Sequence, residues 1–344
     1  MIRKILVVSL AFALAACGIQ PAVRPTPTPF TGVPRSIIID TDMAPDDWMA
    51  MLYLFQRPDI SIKAITVTGT GEAHCGSGVK NALDLAALAG HPDTPVSCGR
   101  ETPLQGDHAF PADWRTNVDA LAGLTLPDNP ASPSSQSAVQ LLTTTIQSSP
   151  DKVTILALGP LTNLAEALQA APGLKDEIET VYIMGGAVDV PGNVGPSRAG
   201  IDNQTAEWNI YVDPHAAGLV FQSGASITLV PLDATNQVPV TTRFFNRLKK
   251  ERDTPEANFV FDVLTKSYDS VKSGGLYFWD PLAAVILTDN SLATFAAKTL
   301  SVVEDEGPDS GRTQETENGI LIRVALNADR QQFESVFIDT LNAA

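Results

Sequence analysis

The amino-acid sequence predicts an α/β fold, an open and mainly parallel sheet with helices on both faces. Two observations lead to it: strand-like and helix-like segments alternate along the chain, and the strand-like segments are continuously apolar. The chain has 344 residues, of which 44% are hydrophobic, so it can bury a sizeable core. Because no break in composition divides residues 36 to 344, we expect them to form one catalytic domain.

The predicted strands are short β-branched or apolar runs, and helical stretches follow most of them. The strands are expected at Ser36–Asp40, Ile60–Val67, Val153–Ala157, Val181–Met184, Ile227–Val230 and Ile320–Leu326. The helices are expected at Trp48–Phe55, Val79–Leu88 and Leu161–Leu168, with a last helix carrying Phe333, Phe337 and Leu341. The stretch from Gly99 to Ser135 has no clear period, and a loop of that length in a compact enzyme is usually functional or mobile.

The N-terminal segment resembles a bacterial export signal. Arg3 and Lys4 precede an apolar run from Ile5 to Leu14, and the Leu-Ala-Ala-Cys pattern that ends at Cys17 resembles a lipobox. We expect a signal peptide over residues 1–16, then a lipidated Cys17 that begins a Pro-rich tether over residues 17–35. The lipid would attach the protein to a membrane of the bacterial cell envelope, facing the periplasm or the outside.

The overall charge and the remaining cysteines limit the possible partners. A formal charge of −16 repels phosphate backbones, which argues against nucleic acid as a partner. Cys75 and Cys98 have no zinc-binding spacing. They either form a disulfide or remain as two buried thiols, and the sequence leaves both possibilities open.

Four carboxylates lie between Asp40 and Asp47, directly after the first predicted strand. Open parallel sheets bind ligands beyond the carboxyl ends of their strands, so this is where chemistry is expected. Like charges this close repel unless a cation or protons intervene, and oxygen donors suit Ca²⁺ or Mg²⁺. The alternative interpretation is a solvated acidic helix N-terminus, where carboxylates interact favourably with the helix dipole.

An Asp-x-Asp after a first strand also resembles the haloacid dehalogenase phosphatases, in which the first Asp is the nucleophile. That pattern requires Thr or Val four residues after the first Asp, and Ala44 stands there instead. A phosphatase would also carry a basic residue near the first strand, and there is none between Ser36 and Arg57. A metal-dependent phosphatase therefore remains only as an alternative.

Six segments in order resemble the nucleoside hydrolase family. They are DTDMAPDD at 40–47, LGPLTN at 158–163, YIMGGAVDVPGN at 182–193, AEWNIYVDP at 206–214, LDATNQVPV at 232–240 and YFWDPLAA at 277–284. The resemblance spans about residues 36 to 341. It implies a nucleoside hydrolase-like fold and hydrolysis of the N-glycosidic bond of a ribonucleoside. It also implies a possible homo-oligomer, since members of this family are often dimers or tetramers.

The resemblance also implies roles for individual residues. Asp42, Asp47 and Asp280 would ligate Ca²⁺ together with the backbone carbonyl of Leu158. Asp42 would also be the general base that takes a proton from the attacking water, and Asp46 would hold the ribose 2′-hydroxyl. The other implied sugar contacts are Asn193, Glu207 and Asn209, with Met184 near the ribose and Trp208 lining the same pocket.

Three features resemble the purine-specific, inosine-adenosine-guanosine-preferring branch of the family. They are FPADWR at 110–115, the AEWNIY segment at 206–211 and Trp279 before Asp280. Trp279 stands where pyrimidine-cleaving and nonspecific members often have a histidine. The four histidines of this chain lie outside the motifs. A purine held between Trp279 and Trp114 becomes a better proton acceptor, because indole faces stabilise a cation. A purine ribonucleoside is the expected substrate. A nonspecific or pyrimidine hydrolase and a lipid-anchored nucleoside-binding protein without turnover are the alternatives.

The sequence departs from the family after the second predicted strand. Many members have Asn there for a ribose contact, whereas this chain reads TVTGTGEAH at 66–74. Either Thr70 or Glu72 could take that place, and the sequence leaves the choice open.

Overall fold

The computed structural model describes residues 30–197 and 200–343. The predicted signal peptide, Cys17 and most of the predicted tether lie outside these residues. One compact unit runs from Gly32 to Ala344.

The described residues contain one sheet of nine strands. The strands are β1 (Arg35–Thr41), β2 (Ile60–Val67), β3 (Val96–Cys98), β4 (Val153–Ala157), β5 (Ile178–Met184), β6 (Ile227–Val230), β7 (Ala293–Val302), β8 (Thr313–Glu315) and β9 (Ile320–Ala328). Their order across the sheet is β3-β2-β1-β4-β5-β6-β9-β7-β8. The first seven strands in this order, from β3 across to β9, are parallel to one another. β7 pairs antiparallel with both β9 and β8. The predicted α/β fold with a mainly parallel sheet is confirmed.

Helices connect the parallel strands. They are α1 (Pro45–Phe55), α2 (Cys75–Leu88), α3 (Ala112–Asp119), α4 (Ala138–Ser148), α5 (Thr162–Ala170), α6 (Leu174–Glu177), α7 (Val194–Ser197), α8 (Trp208–Val212), α9 (Pro214–Gln222), α10 (Leu232–Thr235), α11 (Thr242–Leu248), α12 (Pro255–Lys266), α13 (Tyr268–Ser273), α14 (Trp279–Thr288) and α15 (Arg330–Leu341). Short 3₁₀ turns cover Leu121–Gly123 and Asn290–Leu292. The stretch after Gly99, which shows no period in the sequence, contains α3 and the first of these turns.

The core has one apolar layer on each face of the sheet. Side chains alternate between faces along a strand, and in β1 Ile37 and Ile39 belong to one buried cluster while Ile38 belongs to the other. The first cluster includes the apolar sides of α1, α14 and α15, and the second includes those of α4, α5 and α9. Both faces of β1 are buried, so its apolar run is uninterrupted.

Five segments of the predicted site meet at one edge of the sheet because the parallel strands all end there. Asp42 follows β1, Glu72 follows β2, and Leu158 follows β4. Met184 is the last residue of β5, and Leu232 comes shortly after β6. The carboxyl edge of the sheet is therefore where the functional site is built.

Candidate active site

A cavity of about 410 Å³ opens at the carboxyl edge of the sheet. Every residue that the sequence predicts to act in catalysis, to bind substrate or to ligate calcium lines this cavity. These residues are Asp42, Asp46, Asp47, Trp114, Leu158, Met184, Asn193, Glu207, Trp208, Asn209, Trp279 and Asp280. The structure thus brings together side chains from both ends of the domain.

The turn between β1 and α1 supplies three of the carboxylates. Met43 has a φ of 61°, a left-handed conformation that reverses the chain immediately after Asp42. Asp46 and Asp47 then lie in the first turn of α1, where a helix N-terminus favours carboxylates. The Thr41 hydroxyl donates to Asp47, and the Ala44 amide donates to Asp42 Oδ1 at 3.2 Å. These contacts fix the acidic side chains before any ligand binds.

Asp280 joins this group from the other end of the domain. It lies in the first turn of α14, which packs against α1. One carboxylate oxygen from each of Asp46, Asp47 and Asp280 lies within 4.8 Å of the other two. Asp42 adjoins these three carboxylates, and its charge acts on Asp47 and Asp280. Four acidic side chains therefore lie together, with Asp42, Asp47 and Asp280 buried and Asp46 half-buried.

Burial raises the pKa of every carboxyl in this group, because the charged form loses its hydration. The pKa of Asp42 rises to about 7, through burial first and then through the charge of Asp46. The pKa of Asp46 rises to about 6 through burial. Burial and then neighbouring carboxylates raise the pKa of Asp47 and of Asp280 well above the ordinary range. Charge in this volume needs compensation by protons or by a cation.

Two carboxylate oxygens of the group are buried without a hydrogen-bond partner among the described residues. They are Asp47 Oδ2 and Asp280 Oδ1. A buried, unpartnered acceptor costs about 1–3 kcal/mol, more when it is charged, so such atoms are expected where a ligand belongs. A cation bound by oxygen ligands fits this donor set.

The neighbouring polar side chains form a connected network next to the acidic group. Glu207 caps the N-terminus of α8, accepting hydrogen bonds from the amides of Asn209, Ile210 and Gly186. The Asn209 side-chain amide donates to the carbonyls of Leu158 and Met184, both at 3.2 Å. Burial raises the pKa of Glu207 to about 7. These contacts fix the positions of the Glu207 and Asn209 side chains.

Asn193 belongs to the same wall of the cavity. Its Oδ1 accepts a hydrogen bond from the Trp208 amide at 3.1 Å, which ties the glycine-rich segment after β5 to the start of α8. Gly192 is required here, because a Cβ on it would lie only 2.1 Å from the Ala206 carbonyl oxygen.

Aromatic rings form another part of the wall. Trp208 stacks on Phe110 with centroids 5.1 Å apart, and Trp114 lies tilted against Trp208 at 5.4 Å. The Trp208 indole N–H donates to Ser197 Oγ at 2.8 Å. Trp279 and Tyr277 make a second aromatic pair at 5.6 Å. The cavity thus combines a cluster of four carboxylates with two aromatic surfaces that suit a flat ring.

Several lining residues were given no role from the sequence, including Phe110, Ser197, Leu232, Asn236 and Tyr277, and Glu72 was only one of two candidates for its place. Phe110 lies in the FPADWR segment and Tyr277 begins the YFWDPLAA segment, so the motifs contained the signal for these two. The lining residues that the structure describes include no lysine, arginine or histidine. A phosphate would therefore find no basic side chain to pair with on this described wall.

The cysteine question is resolved by the structure. Cys75 and Cys98 form a disulfide that joins the start of α2 to the end of β3, with Cα atoms 5.6 Å apart. The bond ties the end of the loop that follows β2, which carries the cavity-lining Glu72, to the end of β3.

Comparison with known proteins gives consistent matches over most of the described residues. A family model for "Inosine-uridine preferring nucleoside hydrolase" matches residues 37–335. The chain is 36% identical over 286 residues to uridine nucleosidase 1 of Arabidopsis thaliana, which covers 82% of each chain. A solved plant nucleoside hydrolase superposes with a TM-score of 0.80 at 31% identity, covering 90% of this chain and 100% of that one. A purine-preferring ribonucleoside hydrolase from Gardnerella vaginalis superposes with a TM-score of 0.78 at 28% identity, covering 90% and 98%.

The expected location in the bacterial cell envelope is wrong by these comparisons. The similar sequences include plant uridine nucleosidases, which are not bacterial envelope lipoproteins. The four-residue lipobox pattern is short, and it weighs less than a similarity that extends over most of the chain. Within residues 30–197 and 200–343, no helix has the length and apolar character needed to cross a membrane.

Proposed function

The chain belongs to the inosine-uridine preferring nucleoside hydrolase family and is a hydrolase of ribonucleoside N-glycosidic bonds, and we propose that it is calcium-dependent and prefers purine ribonucleosides. The observation that carries the proposal is one cavity that joins three buried carboxylates and the half-buried Asp46 to two pairs of aromatic rings.

Calcium is proposed because the acidic group fits a hard cation. Asp42, Asp47 and Asp280 would hold it with their carboxylates, and Leu158 with its backbone carbonyl. The unpartnered oxygens of Asp47 and Asp280 support this choice, as does the absence of Cys and His from the described lining. When bound, the cation supplies positive charge that polarises water and sugar hydroxyls.

The reaction breaks the bond between C1′ of ribose and the ring nitrogen of the base. An attacking water gives its oxygen to C1′ and loses a proton to the carboxylate of Asp42. The transition state has oxocarbenium character, so the surrounding carboxylates stabilise the positive charge that develops on the sugar. Asp46, Asn193, Glu207 and Asn209 would bind the ribose hydroxyls and keep C1′ in line with the water.

The leaving base must accept a proton as the bond to C1′ breaks. No histidine is found among the described lining residues, so a histidine general acid is not provided on this wall. Trp114 and Trp279 instead offer indole faces, which stabilise the protonated form of a stacked purine. The proton would then come from solvent. Purines gain more from this arrangement than pyrimidines, because a two-ring base covers more of an indole face.

A pyrimidine or nonspecific preference is the second candidate, and a specific observation favours it. A relative that shares 36% identity with this chain is named a uridine nucleosidase. Chromatography of the free base released from inosine, guanosine, adenosine, uridine and cytidine separates the candidates. We expect release of hypoxanthine, guanine or adenine, and loss of all release after chelation of calcium. Efficient cleavage of uridine would overturn the purine preference. Full activity in the chelator would overturn the calcium dependence.

A further inference from the structure

The loop between β2 and α2 departs from the family pattern, and the structure decides between its two candidate residues. Thr70 is buried, and its hydroxyl is 2.9 Å from that of Thr68 and 3.0 Å from that of Thr162. It does not line the cavity, whereas Glu72 does. Thr70 is therefore part of the support beneath the loop, and Glu72 is the loop's polar group that faces the ligand volume.

Glu72 is placed there by close contact between its loop and Asp42. The Glu72 amide donates to Asp42 Oδ2 at 3.2 Å, and the Ala73 amide donates to the Asp42 carbonyl at 2.9 Å. Gly71 makes this approach possible, since a Cβ on that residue would lie 2.1 Å from the Cβ of Asp42. The side chain that follows Gly71 is consequently held beside the proposed general base.

Three contacts on either side of Glu72 hold the loop in place from outside the cavity. The buried guanidinium of Arg115 donates to the Gly69 carbonyl at 2.8 Å. The Cys75 amide donates to Glu101 at 2.7 Å, and Cys75 is tied covalently to Cys98. A loop fastened on both sides of Glu72 presents its carboxylate in a preorganised position, which lowers the entropic cost of ligand binding.

Glu72 lies near the carboxylates of the cavity rather than near its aromatic rings. The charges of Asp42 and Asp46 act on it, whereas the ring contacts of the cavity are made by Trp114, Trp208, Trp279 and their aromatic neighbours. It is not among the three carboxylates that approach each other within 4.8 Å. A carboxylate beside the acidic group, outside that cluster, suits a hydrogen bond from a hydroxyl of the sugar.

We propose that Glu72 is a substrate-binding residue that accepts a hydrogen bond from one hydroxyl of the ribose. This inference rests on the proposed nucleoside hydrolase function, and it assigns a sugar contact to a residue type that differs from the family's Asn. Either oxygen of the Glu72 side chain can accept a hydrogen bond from a hydroxyl, whereas an Asn side chain offers a single acceptor oxygen.

The test compares Glu72→Ala and Glu72→Gln with the unmutated enzyme on a matched set of substrates. The set is the ribonucleoside that the enzyme cleaves fastest and its 2′-deoxy, 3′-deoxy and 5′-deoxy analogues. We expect Glu72→Ala to lower kcat/KM on the parent nucleoside by about ten- to hundred-fold. On the one analogue that lacks the contacted hydroxyl, the loss should shrink to about threefold or less, because the interaction is already missing. On the parent nucleoside, the kcat/KM of Glu72→Gln should lie between that of Glu72→Ala and that of the unmutated enzyme.

Glu101→Gln is the matched control, because it removes a carboxylate charge next to the same loop and keeps an acceptor for the Cys75 amide. It should show the unmutated pattern on all four substrates. An equal loss in Glu72→Ala on every substrate would overturn the hydroxyl contact, and so would no loss on any of them. If uridine proves to be the fastest substrate, the purine preference fails while the Glu72 test proceeds with uridine analogues.

Discussion

Asp47 on α1 and Asp280 on α14 place carboxylate oxygens within 4.8 Å of each other, and each buries one oxygen that has no partner among the described residues. This pairing joins the two ends of the domain at the proposed metal site. Burial is the main reason why the pKa of both carboxyls is raised. Neighbouring carboxylates add to it, Asp42 and Asp46 in the case of Asp47, and Asp46 and Asp47 in the case of Asp280.

Replacing Asp47 with Ala should abolish calcium binding and turnover together, because it removes one of the proposed ligands. Differential scanning calorimetry with and without calcium measures the effect on stability. A ligand at a hundred times its Kd stabilises the fold that binds it by about 2.7 kcal/mol. Calcium should therefore raise the Tm of the unmutated protein, and it should leave the Tm of the variant unchanged. Asp59→Ala, which removes a carboxylate paired with Arg57 outside the cavity, is the control. Near-normal activity of Asp47→Ala in chelator would refute the site assignment.

The metal-free protein should lose stability as the pH rises from about 4 to about 7. Burial raises the pKa of Asp40 from 3.8 to about 7 and that of Glu207 from 4.5 to about 7. The folded state therefore holds protons that the unfolded state releases, and this stabilisation is lost as the pH rises through the folded pKa values. Measurements of Tm in chelator across this range check the sign. Calcium should oppose the trend, since its binding favours the ionised carboxylates. A rise of Tm with pH in chelator would show that other groups dominate.

Trp279→Ala should slow inosine cleavage by roughly ten- to hundred-fold, the range that a stacked aromatic contributes per base in nucleic-acid binding. The discriminating substrate is p-nitrophenyl riboside, because its leaving group needs no proton. Steady-state kcat/KM on both substrates gives the comparison. If stacking activates the base, the variant loses much less on p-nitrophenyl riboside than on inosine. Equal losses would mean that Trp279 only shapes the pocket.

Replacing both Cys75 and Cys98 with Ser should lower the free energy of unfolding by about 3 kcal/mol, the value expected for a cross-link that spans 23 residues. Denaturant titration measures the change. The substitution also removes one of the contacts that hold the loop carrying Glu72. Because Glu72 is proposed to bind substrate, KM should rise by a larger factor than kcat falls. An unchanged denaturation midpoint would mean that the other contacts of this loop already restrict the chain as strongly.

The sequence was sufficient for six of the seven parallel strands and for the acidic motifs, because both depend on local patterns. It did not predict β3, which has only three residues. β1 is continuously apolar, and the carboxylates follow it within a few residues. β7 was not predicted. Most of its side chains are only partly buried, so its sequence lacks a clear period, and its antiparallel position between β9 and β8 depends on contacts distant in the chain.

The choice between Thr70 and Glu72 was beyond the sequence for a different reason. It depends on how closely the loop backbone approaches Asp42, and the only local trace of that approach is Gly71. The pairing of Cys75 with Cys98 likewise required the relative placement of α2 and β3. Sequence patterns specify which side chains are present, whereas tertiary packing decides which of them face the cavity.

The pairing of α1 with α14 sets an order of assembly for the enzyme during protein synthesis. The first acidic cluster leaves the ribosome early, whereas Asp280 emerges only after most of the domain. A nascent chain that ends before α14 holds the repelling carboxylates of the first turn without the partner that completes the cation site. Closing contacts between such distant segments is slow because of the entropy of the intervening chain. The proposed cation would therefore stabilise the finished domain and give little help to its earlier folding intermediates.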